Sequence, residues 1–282
     1  MAKIAWVTDS TAYLNEELKN HPDLYQIPMT IIMDGNEYTD GVDLTPEELY
    51  ARLKTLDTPP KTSQPSIGAF QNLYENLKGK YDAIIAVLVS AKLSGTVSSS
   101  EQASQLVDIP VYSVDSKILS YPLTRMILKG MEWAESGLAA EEVIRRIEIL
   151  RDTGETYVLI GSLEQLHRSG RMSGIQFFLG SMLNVKPIIS VHDGELSVRE
   201  KARSEKKAKE KIMKLLRNSH EKKPLKEVFI LYGLHPDEAE SWKEELQKEF
   251  PAIKFGCYSL GATIGVHAGE NTLGISWLNG LD

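Results

Sequence analysis

Residues 90–100, SAKLSGTVSSS, follow the apolar run YDAIIAVLV and carry six hydroxyl side chains. Three chemistries suit such a stretch. Ser94 suits a nucleophile, the whole stretch suits a cradle for an anion, and it also suits an ordinary polar turn before a helix. Gly95 allows close approach to the backbone, and a helix opening near Thr96 would offer free N–H groups to an anion. The nucleophile lacks its usual frame, because G-x-S-x-G is absent. The cradle is therefore the favoured reading.

Related clusters recur after apolar runs. TDST supplies Thr8, Asp9, Ser10 and Thr11, and DSK supplies Asp115 and Ser116. Ligands of open parallel sheets bind beyond the carboxyl ends of strands, so these hydroxyls would share one rim. They suit helix caps equally well. KTSQPS adds Thr62, Ser63 and Gln64, otherwise a cap or turn before Pro65. HRSGRMS holds Arg168 and Arg171, which alone would be surface residues. His267 sits among glycines in GATIGVHAGENTLG, between two apolar strands, and is a candidate site residue in that setting.

Other chemistries lack their signatures. There is no phosphate loop, no G-x-G-x-x-G and no H-E-x-x-H, so neither a cofactor nor a metal is expected. The single cysteine, Cys257, precludes an intrachain disulfide and is expected to be a buried packing thiol. A net charge of −7 argues against nucleic acid as the main partner. The apolar part of MAKIAWVTDS is too short for a signal peptide, and no segment has the roughly 18–20 apolar residues of a membrane span. A cytoplasmic protein without membrane insertion is expected.

The elements that must position these residues alternate in the first half. KIAWVTDS, YQIPMTIIM, DAIIAVLVS and IPVYSVDS read as strands, with a short strand in DGNEYTDG. Thr45, Pro46 and Glu48 form a capping box, PSIGAFQNLYENLKG reads as a helix, and two more helices fall near 122–136 and 139–152. The second half reads as strand TYVLIGS, a helix after SGRMS, a hairpin turning at Asp193-Gly194, and a basic amphipathic helix SEKKAKEKIMKLLRN. The strands KEVFILYG, IKFGCYSLG and NTLGISWL complete it, with the helix PDEAESWKEELQKEF between the first two. The fold class is α/β with two domains. A mainly parallel N-terminal α/β sandwich spans 1–155, and a mixed-sheet C-terminal α/β domain spans 156–282.

The ordered set VTDST, TSQPS, LSGT, VDS, LHRSGRMS, LNVKPIIS, DGEL and IGVHAG resembles the bacterial DegV family of fatty-acid-binding proteins almost end to end. The resemblance implies a long-chain fatty acid held in a tunnel between the domains. It implies a non-catalytic binding subunit that presents the carboxyl group to a separate ATP-dependent fatty acid kinase subunit. The acyl phosphate would then enter phospholipid synthesis. Carried over, Thr62 and Ser94 would hydrogen-bond the carboxylate with Gly95 nearby, His267 would complete the network, and Arg171 would lie at the tunnel mouth for kinase docking or charge compensation. Two segments depart from the family pattern, ENTLG (270–274) and SYPLT (120–124), the latter lacking a glycine common there.

The physics of a carrier agrees with this set. A desolvated carboxylate needs several donors, which hydroxyls, a ring N–H and backbone N–H groups supply. A tail of roughly fifteen methylenes at about 0.8 kcal/mol each gives an upper bound near ~12 kcal/mol before entropic costs. Such a tail needs an enclosed tunnel, and IQFFLGSMLNV offers Phe177, Phe178, Leu179 and Met182 either as lining or as plain core. The alternatives are a serine-dependent acyl hydrolase, with Ser94 as nucleophile, His267 as base and Asp9 or Asp115 as orienter, and a phosphosugar or nucleotide binder.

Overall fold

The computed structural model describes residues 2–53, 55–56, 58–171 and 185–281. The chain opens with β1 (Ile4–Asp9), buried along its whole length, then α1 (Glu16–Lys19) and β2 (Leu24–Ile27). YQIPMTIIM is not the single strand its composition predicts. β2 pairs with β1, whereas β3 (Thr30–Met33) joins a separate antiparallel sheet with β4 (Asn36–Thr39) and β5 (Lys61–Ser63). Pro28 falls between them, and a residue without an N–H cannot carry the ladder onward. KTSQPS is likewise part strand rather than only a turn.

α2 (Pro46–Leu53) begins with the expected capping box. Glu48 N–H donates to Thr45 Oγ1 at 3.2 Å and Thr45 N–H to Glu48 Oε2 at 2.9 Å. α3 (Ile67–Leu77), β6 (Ala83–Leu88), α4 (Thr96–Ser104) and β7 (Val111–Asp115) follow. The four strands β2-β1-β6-β7 form a wholly parallel sheet, and β1 and β6 are buried on both faces as their unbroken apolar runs require. α5 (Ser120–Glu135) and α6 (Ala140–Arg151) complete this half, separated by Gly137 at φ +94°.

The remaining strands build one mixed sheet. In chain order the elements are β8 (Gly154–Leu159), α7 (Leu163–Arg168), β9 (Lys186–His192), β10 (Glu195–Ala202), α8 (Glu205–Lys222), β11 (Glu227–Tyr232), α9 (Pro236–Glu249), β12 (Lys254–Ser259), α10 (Gly261–Ala268) and β13 (Leu273–Leu278). The strand order is β10-β9-β8-β13-β11-β12. Asp193 (φ +48°) and Gly194 (φ +81°) make the two-residue turn between β9 and β10, the left-handed pair a tight hairpin needs. The glycine-rich segment around His267, between β12 and β13, folds as α10.

Alternation along these strands separates two environments. Tyr157, Leu159, Ile188, Ile230 and Trp277 pack against α8 and α9 through Ile212, Leu216, Trp242 and Leu246. Ala208, Ile212 and Leu216 are the buried stripe of α8, so most of its lysine run faces solvent. Cys257 is half-buried rather than fully buried, and burial with Glu240 beside it pushes its thiol up to about 12, far from a reactive thiolate. The opposite face of the sheet looks toward the first half of the chain. There a shared core joins Leu123 and Ile127 of α5 with Phe229, Leu231 and Leu278.

The β9–β10 hairpin tip reaches the stretch that follows β6. Ser90 Oγ donates to the Gly194 carbonyl at 2.8 Å, Lys92 lies 3.0 Å from Glu195, and Lys117 lies 2.7 Å from Asp193. Exposed ion pairs of this kind contribute at most about 1 kcal/mol each. The buried Ser90 bond fixes the register of the contact, because a Cβ on Gly194 would stand only 2.6 Å from Ser90 Oγ.

Candidate functional site

Asp9 ends β1 fully buried, with a carboxylate shared between neighbouring strand ends. Oδ1 accepts from Thr11 N–H at 2.9 Å and from Thr11 Oγ1 at 2.6 Å, and Oδ2 accepts from Val89 N–H at 2.7 Å. Burial pushes this carboxyl above its ordinary range although those donors pull the other way. Asp9 thus joins the carboxyl ends of β1 and β6 and launches the segment beyond β6.

That segment doubles back on itself. The Ser90 carbonyl accepts from Leu93 N–H at 3.0 Å and Ser94 N–H at 3.1 Å, which places Gly95 at the cap of α4. Ser94 Oγ lies 2.8 Å from Thr96 Oγ1. Gly95 has no side chain to cap the helix, and the first helical bond runs from Ser99 N–H to the Gly95 carbonyl at 3.0 Å. Among the described residues, the N–H groups of Gly95 to Ser98 have no acceptor. Gly95 also makes room for Gln64, since a Cβ there would stand 2.8 Å from the Gln64 amide nitrogen.

Across from this turn, β5 and α10 bring Thr62 and His267 together, with Thr62 Oγ1 2.8 Å from His267 Nε2. α10 gets close because its Gly265 sits against the Tyr50 ring of α2, where a Cβ would meet the phenolic oxygen at 2.4 Å. His267 Nδ1 is buried and has no partner among the described residues. Burial, and then the nearby Arg171 charge, lower the ring to about 3, so His267 is neutral at physiological pH. Arg171 is half-buried; its Nη1 donates to the Ser169 carbonyl at 2.6 Å and its Nε to the Leu93 carbonyl at 3.3 Å. Burial lowers Arg171 from its ordinary range, yet an arginine remains a cation at neutral pH.

Thr62, Ser94, His267 and Arg171 line one cavity, whose empty space, mouth included, is about 930 Å³. Gln64 and Ser63 stand beside them and are exposed, so this polar end lies near the surface. The rest of the wall is overwhelmingly apolar. The inner face of the six-stranded sheet supplies Val158, Ile160, Ile189, Val191 and Leu231, and Ile118 and Leu119 come from the segment before α5. Gly95 is next to this cavity rather than in its lining. Arg171 reaches inward to the Leu93 carbonyl, so it is a wall residue as well as a candidate for the mouth. The expected lining residues Phe177, Phe178, Leu179 and Met182, and the helix expected after SGRMS, lie outside the described residues.

Other candidates fall elsewhere. Arg168 is exposed and paired with Glu164 at 2.6 Å. Asp115 accepts from the backbone of Ala91 at 3.1 Å and of Lys117 at 2.8 Å, holding the loops after β6 and β7. The hydrogen bonds of a Ser94–His267–aspartate relay are not formed. Ser94 is bonded to Thr96, His267 Nε2 to Thr62, and Asp9 to Thr11 and Val89. Among the described residues no group of His, Cys, Asp and Glu has the arrangement of a metal site. No described helix is long and apolar enough to cross a membrane.

Sequence reading missed the sheet-face lining, although its signal was available. Thr156, Val158 and Ile160 alternate along TYVLIGS, which places them on one face. Which face met the cavity required the sheet order.

A family model described as "Uncharacterised protein, DegV family" matches residues 3–280. Protein DegV of Bacillus subtilis is 36% identical, over 97% of this chain and 98% of that one. A DegV domain-containing protein of Listeria innocua is 32% identical, over 98% of each. Among solved structures, the fatty-acid-binding DegV family protein of Thermus thermophilus superposes with a TM-score of 0.93 at 32% identity, covering 98% of this chain and 99% of that one. The structure of Bacillus subtilis DegV, described as a fatty acid binding protein, gives a TM-score of 0.91 at 35% identity, covering 99% and 100%.

Proposed function

The chain belongs to the DegV family, and from that premise we propose that it binds one long-chain fatty acid with its carboxylate among Thr62, Ser94, His267 and Arg171. The observation that carries the reading is the polarity of the cavity. One end gathers two hydroxyls, a neutral imidazole and a guanidinium, and the remaining wall is mostly aliphatic. The N–H groups at the start of α4, beside Gly95, add donors and a favourable dipole for an anion. The two solved relatives described as fatty-acid-binding, at 32% and 35% identity, support the same ligand class.

Organic extraction of the purified protein followed by mass spectrometry tests this reading. A stoichiometric fatty acid is expected. Ser94→Ala is expected to weaken fatty acid binding about ten- to 150-fold, the worth of one hydrogen bond to a charged acceptor. Folded protein that carries no lipid and takes none up would end the proposal.

The finer part of the reading is a kinase partnership. The protein acts as a cytoplasmic, non-catalytic subunit that offers the bound carboxylate to a separate ATP-dependent kinase subunit, and the acyl phosphate enters phospholipid synthesis. Its support is the placement of the carboxylate end beside exposed Ser63 and Gln64, within reach of a docked protein. Loaded protein mixed with ATP and a bacterial fatty acid kinase subunit should yield acyl phosphate, trapped as the hydroxamate. Absence of product with a kinase active on its own binding subunit would count against it.

A further inference from the structure

The far end of the apolar cavity abuts a second, more polar cavity. The second has about 780 Å³ of empty space, mouth included, and is lined by Lys117, Arg151, Asp152, His192 and Asp193, with Pro122, Met126 and Leu278 also in its wall. Ile118, Thr156 and Val191 line both cavities and are the partition between them among the described residues.

The strand register places this partition away from the carboxylate end. Thr156 and Val158 of β8 and Ile160 just after it line the cavity, and the chain then continues into α7 and Arg171. Thr156 therefore lies about 13 Å of strand from Ile160, on the side away from Arg171. β9 is antiparallel to β8 with Tyr157 opposite Ser190, so Val191 falls beside Thr156 on the same face. On the other flank β13 places Ser276 opposite Thr156, with Thr156 Oγ1 2.6 Å from Ser276 Oγ. Ser276 lines only the polar cavity. The floor thus changes from aliphatic to polar along one rung of the sheet. Ile118 closes the partition from the opposite wall, buried at 7% exposure.

We propose that Ile118, Thr156 and Val191 set the longest acyl chain this protein accepts, and that the polar cavity beyond them makes the limit one-sided. The inference rests on the fatty-acid reading. A chain that fits gains apolar burial with each methylene up to the partition. A longer chain drives its methyl end toward the Lys117, Asp152 and Asp193 ion pairs, where the added methylenes disturb hydrated charge. Shorter acids lose affinity gradually, and longer ones lose it abruptly.

The test is a binding series on lipid-free protein with saturated fatty acids from medium to very long chain. Wild-type affinity is expected to rise about three- to fourfold per methylene and then break. Ile118→Ala opens the partition and should move the break to longer chains, with acids just past the wild-type limit gaining about tenfold or more. Val191→Phe narrows it and should move the break to shorter chains, with the preferred acid losing about tenfold or more. The two variants change volume in opposite senses, so either one that folds decides the matter. A break that stays in place overturns the inference while leaving fatty acid binding intact. Failure of wild-type protein to bind any chain length would instead overturn the ligand class itself, and this inference with it.

Discussion

Thr62 Oγ1 and His267 Nε2 stand 2.8 Å apart although 205 residues separate them in the chain. Neither is a recognisable site residue alone. β5 carries one and α10 the other, so their meeting depends on the three-stranded sheet and the six-stranded sheet closing over one cavity. Thr62→Val keeps the shape and removes the hydroxyl. It should cut fatty acid affinity about five- to fiftyfold, because it removes a ligand donor and leaves the buried Nε2 without its partner. Isothermal titration calorimetry on protein with an unchanged circular dichroism spectrum measures this. Unaltered affinity would remove Thr62 from the carboxylate site.

His267 makes the ligand-free protein sensitive to acid. Its folded pKa is depressed to about 3 from an ordinary 6.5. The unfolded chain therefore binds a proton in this window that the folded chain refuses. The stability contribution is complete above about pH 6.5 and is lost as pH falls toward 3, at about 1.4 kcal/mol per pH unit. Asp9 and Asp40 carry raised pKa values and act in the opposite sense. The quantity to measure is therefore the difference between wild type and His267→Gln in urea unfolding across that range. A difference that does not vary with pH would contradict a neutral, buried His267.

Arg171 separates charge recognition from chain recognition. Arg171→Met keeps an apolar stem and removes the cation together with the bond to the Leu93 carbonyl. Affinity for a fatty acid should fall about tenfold or more, whereas affinity for the matching fatty alcohol should hardly change. Competition binding with both ligands gives the ratio. Equal losses for acid and alcohol would make Arg171 a structural support only.

Ser120 offers a stability test at the start of α5. It is fully buried, sits at φ +62° and has a hydroxyl without a partner among the described residues. Its N–H still donates to the Thr11 carbonyl at 2.9 Å, a bond a glycine retains. Ser120→Gly relieves the left-handed strain and deletes the orphan hydroxyl, and should stabilise by about 1 kcal/mol. That corresponds to a Tm rise of about 2–4 °C for a chain of this size. A lower Tm would mean that the serine contributes something its contacts do not reveal.

Much of the fold was legible because apolar periodicity and turn chemistry are local. The unbroken run in DAIIAVLVS required a strand covered on both faces, and Asp193-Gly194 required a two-residue hairpin turn. The errors were also physical. YQIPMTIIM looks continuous by composition, but Pro28 interrupts the ladder and the two halves join different sheets. GATIGVHAG carries no helix signal, yet it folds as one, and Gly265 lets it press against Tyr50.

The residues proposed to hold a carboxylate were therefore present in the sequence: Thr62, Ser94, Arg171 and His267, with Gly95, which lets Gln64 approach, and the strand ends that carry hydroxyls. Their types and order are properties of the chain, as is the alternation of Thr156, Val158 and Ile160. Tertiary structure decided that four of these residues face one cavity while Gly95 stands behind it, and that Ile118, Thr156 and Val191 are shared, among the described residues, with the more polar cavity beyond. Hydrogen-bond reach and cavity length depend on how separate sheets pack, and packing joins positions far apart in the chain that no local pattern relates.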